Sequence, residues 1–151
     1  LYWCYGSNLN MQQMKYRCPN SLPLETAELL THILLWRGNS RGYGVATVEK
    51  EIGSNVPGAL WAIAEEDFSS LDRYEGYPRL YERKAVKVLN EHGEMVEAVT
   101  YYMHTHYKKA EPSRQYMQTI IEGYEDFGLN FDRLGLFHDK HMKELNTKEL
   151  V

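Results

Sequence analysis

The chain has 151 residues, of which 43% are hydrophobic and 25% charged. That is the composition of a folded domain with its own core, and it excludes a disordered chain. The 17 basic and 21 acidic side chains give a formal net charge of −4, and the absence of any basic run counts against nucleic acid as a partner. No apolar stretch reaches the roughly 18–20 residues that cross a bilayer and no secretory signal is visible, so a cytoplasmic chain with no membrane partner is expected.

The chain begins at Leu1, without a methionine and already inside the first predicted strand, so one or more natural residues ahead of it are expected. No repeat, low-complexity tract or domain-splitting linker is present, and residues 1–151 are expected to form one domain. Residues 1–5 read as a buried strand. Asn10 caps a short helix over 10–17, with Gln13 three residues on and Met11, Met14 and Cys18 on one face. The apolar stretch 27–36 reads as a strand, because Trp36-Arg37-Gly38-Asn39-Ser40-Arg41-Gly42 follows as a loop. Two strands are predicted over 43–48 and 57–64, separated by the turn residues Gly53-Ser54-Asn55. A helix over 66–75 ends at Gly76.

Strands over 86–89 and 96–103 flank Asn90-Glu91-His92-Gly93 as a hairpin. Pro112 and Ser113 open a longer helix that Gly128 closes, with Tyr116, Ile120, Tyr124 and Phe127 on its inner face. One more short helix is predicted after Asn130, with frayed last residues. Roughly six strands and three or four helices without βαβ alternation predict an α+β fold, with a mixed, mostly antiparallel, barrel-like sheet flanked by helices.

Two features carry chemistry. Tyr5-Gly6-Ser7-Asn8 follows the apolar run Leu1-Tyr2-Trp3-Cys4. A glycine turn between a strand and a helix leaves backbone N–H groups without partners, aimed at one small volume that suits a carboxylate or a developing oxyanion. It is no phosphate loop, since it lacks the multiple glycines and the lysine. The second feature is Glu75. It shares a helix face with Phe68 and Leu71 and lies in the last turn, where the dipole disfavours an anion. Burial and dipole both push its pKa up, toward that of a useful proton acceptor. The helix alone equally allows a half-exposed Glu75 that only pairs with Arg79 or Arg83.

Other candidates are weaker. Cys4 and Cys18 have no metal-ligand spacing and read as reduced core residues. The pairs His104/His106 and His138/His141 lack a third ligand and read as solvated. Ser7 and Ser113 have no triad context. Arg37 and Arg41 stand in a loop that suits a lid or a second carboxylate site, and equally a solvated surface.

Together these residues resemble the γ-glutamyl cyclotransferase family. The resemblance rests on Tyr5-Gly6-Ser7-Asn8-Leu9, on Gly58-Ala59-Leu60-Trp61-Ala62-Ile63 with Leu71-Asp72-Arg73-Tyr74-Glu75-Gly76 and Tyr81, and on Pro112-Ser113-Arg114-Gln115-Tyr116. It runs in order from about residue 2 to 136. It implies a small mixed barrel, Glu75 as acid–base residue, and Tyr5, Gly6, Ser7, Asn8 and Leu9 as the loop that holds a glutamyl group. It further implies Tyr81, Tyr116 and Tyr101 as pocket tyrosines, no metal or organic cofactor, and a small-molecule γ-glutamyl substrate. A homodimer is a family-level expectation only. The competing readings are a small-ligand-binding module on the same fold without turnover, and another acyl-cyclising or amide-cleaving activity.

Overall fold

The computed structural model describes residues 1–38 and 42–149. Among these, five strands close into a barrel in the order β1-β3-β2-β4-β5. They are β1 (Tyr2–Cys4), β2 (Leu22–Gly38), β3 (Gly44–Ala62), β4 (Tyr81–Asn90) and β5 (Met95–Met103). The ring closes through β1, which pairs antiparallel with β3, Trp3 opposite Leu60, and parallel with β5, Tyr2 opposite Val99. The other pairings in the barrel are antiparallel. The mixed, mostly antiparallel barrel with helices around it is the architecture the sequence predicts.

The strand count differs, for a physical reason. The segments 43–48 and 57–64 are two ends of the single strand β3. Leu30 pairs with Asn55 and His32 with Lys50, so residues 51–54 stand opposite Thr31 alone. The turn residues there form a bulge in one strand: Gly53 has φ 91°, Thr31 φ 57°, and Ser54 Oγ donates to Glu51 Oε2 over 2.8 Å. Such an excursion needs the same backbone freedom as a turn, without reversing the chain. Strand β2 starts earlier than predicted because its first residues, Leu22 to Leu24, are exposed and show no apolar alternation. Large apolar side chains fill the core, Trp3, Leu34, Leu60 and Met103 among the fully buried ones, and Trp3 Nε1 donates to Ala27 O over 2.9 Å.

Four α-helices and one 3₁₀ turn of the described residues surround the barrel. The turn Ser7–Leu9 leads into α1 (Met11–Arg17), whose cap Asn10 accepts from Gln13 N over 3.1 Å. Helix α2 (Glu65–Glu75) stops at Gly76, which adopts φ 69°. Helix α3 (Arg114–Asp126) is capped by Ser113, which accepts from Tyr116 N. Helix α4 (Phe131–Glu149) has 19 residues rather than the short span expected, and residues 150–151 of the predicted frayed end lie outside the described residues. His138 and His141 of α4 lie edgewise or tilted against Trp36 of β2, with centroids 5.7 and 5.3 Å away. His141 is buried with Nε2 2.9 Å from Ala110 O, so it is a packing residue and not a solvated histidine. His104 and His106 are exposed as expected, but they follow β5 rather than lie on it. Both cysteines are free and buried. No helix among the described residues is long and apolar enough to cross a membrane.

Candidate active site

The chain leaves β1 at Cys4 and folds Gly6 against β3. A Cβ at position 6 would lie 3.2 Å from Ala46 Cβ and 3.6 Å from the Tyr116 hydroxyl. Gly6 has φ −124°, so it is needed here for close approach and not for a left-handed turn. The following 3₁₀ turn is tied by Leu9 N to Gly6 O and Asn10 N to Ser7 O, each 3.0 Å. Among the described residues, no acceptor is bonded to the N–H groups of Gly6, Ser7 and Asn8. Three donors therefore remain available at one turn.

Helix α2 brings the second part. Its buried face is Asp67, Leu71 and Glu75, spaced by four, with Phe68 only half-buried. Glu75 is neither half-exposed nor paired with Arg79 or Arg83. Its Oε1 accepts from Asn8 Nδ2 over 2.8 Å, and the same nitrogen donates to the Tyr2 hydroxyl over 2.8 Å. Burial pushes the Glu75 pKa up to about 7, against the opposing pull of the Arg17 guanidinium and the Asn8 hydrogen bond. Arg83 instead pairs with Asp72 at 3.3 Å. Asp72 also accepts from the Tyr101 hydroxyl over 2.5 Å, which fastens the turn of α2 before Glu75 to β5.

The turn and Glu75 face one small cavity of about 30 Å³. Tyr5, Gly6, Ser7, Asn8, Glu75, Tyr81, Tyr101 and Tyr116 all line it, joined by Tyr2 and Ala46. Leu9 does not. It is fully buried against α3, where a Cβ at Gly123 would come within 2.6 Å of its own Cβ, so it anchors the turn rather than facing the cavity.

Two of the tyrosines hang from the backbone of a single residue. The Tyr81 hydroxyl donates to Ala46 O, while Tyr5 donates its one proton to Tyr101 O over 2.7 Å and lies 3.5 Å from Ala46 O. The Tyr116 hydroxyl accepts from Ala46 N over 3.0 Å. That leaves the Tyr116 proton free to donate, whereas Tyr5 and Tyr81 present lone pairs. Burial raises the pKa of all of these phenols, so the pocket is polar but nearly chargeless apart from Glu75.

Sequence reasoning missed Tyr2, Ala46 and Arg17. Tyr2 carries a usable signal, since a tyrosine inside a short buried strand must find a partner for its hydroxyl. Ala46 carries none, because it acts through its backbone. Arg37, read as a loop cation, is buried: Nε pairs with Glu49 at 2.6 Å and Nη1 donates to the carbonyls of Thr105 and Tyr107. It is not available to a ligand, and Arg41 lies outside the described residues. Among the described residues one metal-ligating group has donor atoms within 4.8 Å of one another, Glu25, Glu91 and His92. None of its members lines this cavity, and neither histidine pair singled out in the sequence belongs to it.

A sequence profile of the family described as “gamma-glutamyl cyclotransferase, AIG2-like” matches residues 2–120. The chain is 34% identical over 137 residues to a gamma-glutamylcyclotransferase of Homo sapiens, covering 85% of this chain and 72% of that one. It is 31% identical over 157 residues to a gamma-glutamylcyclotransferase of Bos taurus, covering 99% and 78%. A solved structure titled “Gamma-glutamyl cyclotransferase” superposes with a TM-score of 0.81 at 28% identity, over 93% of this chain and 85% of that chain.

Proposed function

The chain belongs to the γ-glutamyl cyclotransferase, AIG2-like family, and on that premise we propose that it releases 5-oxoproline from γ-glutamyl compounds, with Glu75 as the acid–base residue. Such a substrate carries its own nucleophile, the α-amino group, and its own electrophile, the γ-carbonyl carbon. Attack of the nitrogen on that carbon forms the five-membered ring, and the C–N bond to the leaving amine breaks. Holding the two in a near-attack geometry can supply up to roughly 7–11 kcal/mol of the barrier.

An α-amino group ordinarily titrates at about 7.7–8.0 and is largely protonated at neutral pH. Glu75 removes that proton and passes it to the leaving nitrogen. The second proton, shed as the attacking amine becomes the lactam N–H, ends on the released amine, which leaves as an ammonium, so no net proton is consumed by the protein. The N–H groups of Gly6, Ser7 and Asn8 serve the two negative sites, the γ-oxyanion and the α-carboxylate. One such oxyanion donor is typically worth about 10²–10³ in rate. Tyr116, with its free proton, is a further donor, while the lone pairs of Tyr5 and Tyr81 suit an ammonium.

The observation that carries this reading is the direct bond between Asn8 Nδ2 and Glu75 Oε1. It sets a carboxylate that can exchange a proton near pH 7 beside the turn that presents the anion-binding N–H groups. The test is a screen of γ-glutamyl dipeptides, γ-glutamylamines and glutathione, read out by 5-oxoproline. Release from at least one class is expected, and the class names the leaving group. No product from any of them, with binding retained, makes the chain a ligand-binding module.

A further inference from the structure

Arg17 ends α1 beside the cavity without lining it. Its Nη1 donates to Asn8 Oδ1 and lies 3.4 Å from Ser7 Oγ. Its Nη2 donates over 2.7 Å to Gln13 Oε1, one turn earlier on the same face of the helix. The Tyr74 ring covers the guanidinium, 3.5 Å from centroid to carbon. Both terminal nitrogens and one face of the guanidinium are thus already engaged within the protein.

The consequence falls on Asn8. Its oxygen faces a cation, so both hydrogens of Nδ2 must point the other way, to the Tyr2 hydroxyl and Glu75 Oε1. A reversed amide would set its oxygen against a carboxylate and its NH₂ against the guanidinium, two repulsions in place of two bonds. We propose that Arg17 is a positioning residue, which locks the Asn8 amide and, through that amide and its own charge, keeps Glu75 aimed and ionised for proton transfer. The proposal rests on the reading of Glu75 as the acid–base residue.

Among the described residues, nothing else around Glu75 supplies the charge. The titratable groups facing it are Tyr2 and Cys4 of β1, Tyr5 of the turn, Cys18 at the end of α1, Tyr81 of β4, Tyr101 of β5 and Tyr116 of α3. Burial keeps each of them neutral at working pH. Asp72 of α2 is paired with Arg83. Removing the guanidinium leaves only the Asn8 hydrogen bond against the burial of Glu75.

The test compares Arg17→Gln and Arg17→Lys with the unaltered protein by two readouts. One is kcat/KM against pH on a γ-glutamyl dipeptide. The other is the infrared band of the protonated Glu75 carboxyl in substrate-free protein, identified by its absence from Glu75→Gln. In Arg17→Gln both midpoints are expected to rise by about one pH unit. Its kcat is expected to fall roughly tenfold with KM within about twofold, as for a group that acts in the transition state. Lysine restores the charge without the fork, so Arg17→Lys should recover the midpoint but not kcat, and it carries the test should the glutamine variant not fold. A rise in KM alone, with kcat and both midpoints unchanged, overturns the proposal in favour of direct capture of a substrate carboxylate. Unchanged values throughout reduce Arg17 to a helix-end cation. If no γ-glutamyl compound is turned over by the unaltered protein, the functional reading fails, while the infrared midpoints still decide whether Arg17 controls Glu75.

Discussion

The side-chain amide of Asn8 donates to Glu75 Oε1 over 2.8 Å, across 67 residues of sequence. The end of α2 and the turn after β1 are therefore one hydrogen-bonded unit. Glu75→Gln tests what that unit does. Glutamine keeps the length of the side chain and offers Asn8 an amide oxygen, but it cannot take a proton from an ammonium. The variant should show unchanged circular dichroism and still bind γ-glutamyl compounds by calorimetry. Its 5-oxoproline release should fall by about 10²–10⁴ or more. Turnover near that of the unaltered protein would end the mechanism.

The same residue sets a dependence of stability on pH. Glu75 titrates at about 7 in the folded protein and near 4.3 in an unfolded chain. Between those values the folded state holds a proton that the unfolded state has released. Stability therefore falls as pH rises through this window, by about 3–4 kcal/mol in all, and the loss is complete above the folded value. Glu75→Gln has no such loss. Its melting temperature should match that of the unaltered protein near pH 4.5 and exceed it above pH 7.5. A difference between the two that does not grow with pH contradicts the burial of this carboxylate.

The sequence made much of this site legible because the parts depend on local rules. A Tyr-Gly-Ser-Asn turn after a buried strand and a glutamate on the inner face of a helix can be read from spacing alone. What stayed hidden depends on long-range contact. Ala46 holds two pocket tyrosines, Tyr116 and Tyr81, through its backbone N and O, and nothing in an alanine announces that. Phe68 looked like an inward residue of α2 by its type, yet the buried face runs through Asp67. An aspartate is read as solvated until its hydrogen-bond donors, Asn20 and Ser21, are placed beside it. In β3, Gly53 announced backbone freedom correctly, and only the pairing with β2 shows that it serves a bulge.

Asp67 gives a prediction of its own. Its Oδ2 accepts from Asn20 N over 2.8 Å and from Ser21 Oγ over 3.0 Å, and Ser21 Oγ accepts from Ala64 N over 3.1 Å. This knot fixes the start of α2 to the segment that follows α1, and so sets the distance between Arg17 and Glu75. Asp67→Ala leaves buried donors without partners, at about 1–3 kcal/mol each. A total loss of about 2–4 kcal/mol is expected in urea denaturation, with a smaller loss for Asp67→Asn, which retains one acceptor oxygen. A loss below about 0.5 kcal/mol for the alanine variant would show that the knot does not hold α2 in place.

Gly123 separates packing from helix propensity. In an open helix interior, Gly→Ala stabilises by up to about 1 kcal/mol. At Gly123 of α3 the added Cβ would lie 2.6 Å from Leu9 Cβ and 2.7 Å from Asn10 N. Contacts under 3.0 Å with backbone force something to shift, and the element on the other side is the turn that carries Ser7, Asn8 and the free N–H groups. Gly123→Ala should therefore destabilise by about 1–3 kcal/mol, as overpacking does, and lower kcat/KM by displacing Asn8 from Glu75. Gly135 of α4 has nothing within 4 Å of its added Cβ, and it serves as the control. Gly135→Ala should be as stable as the unaltered protein or more so, with unchanged turnover. If Gly123→Ala behaves like Gly135→Ala in both thermal melts and 5-oxoproline release, the contact between α3 and the turn does not position the site.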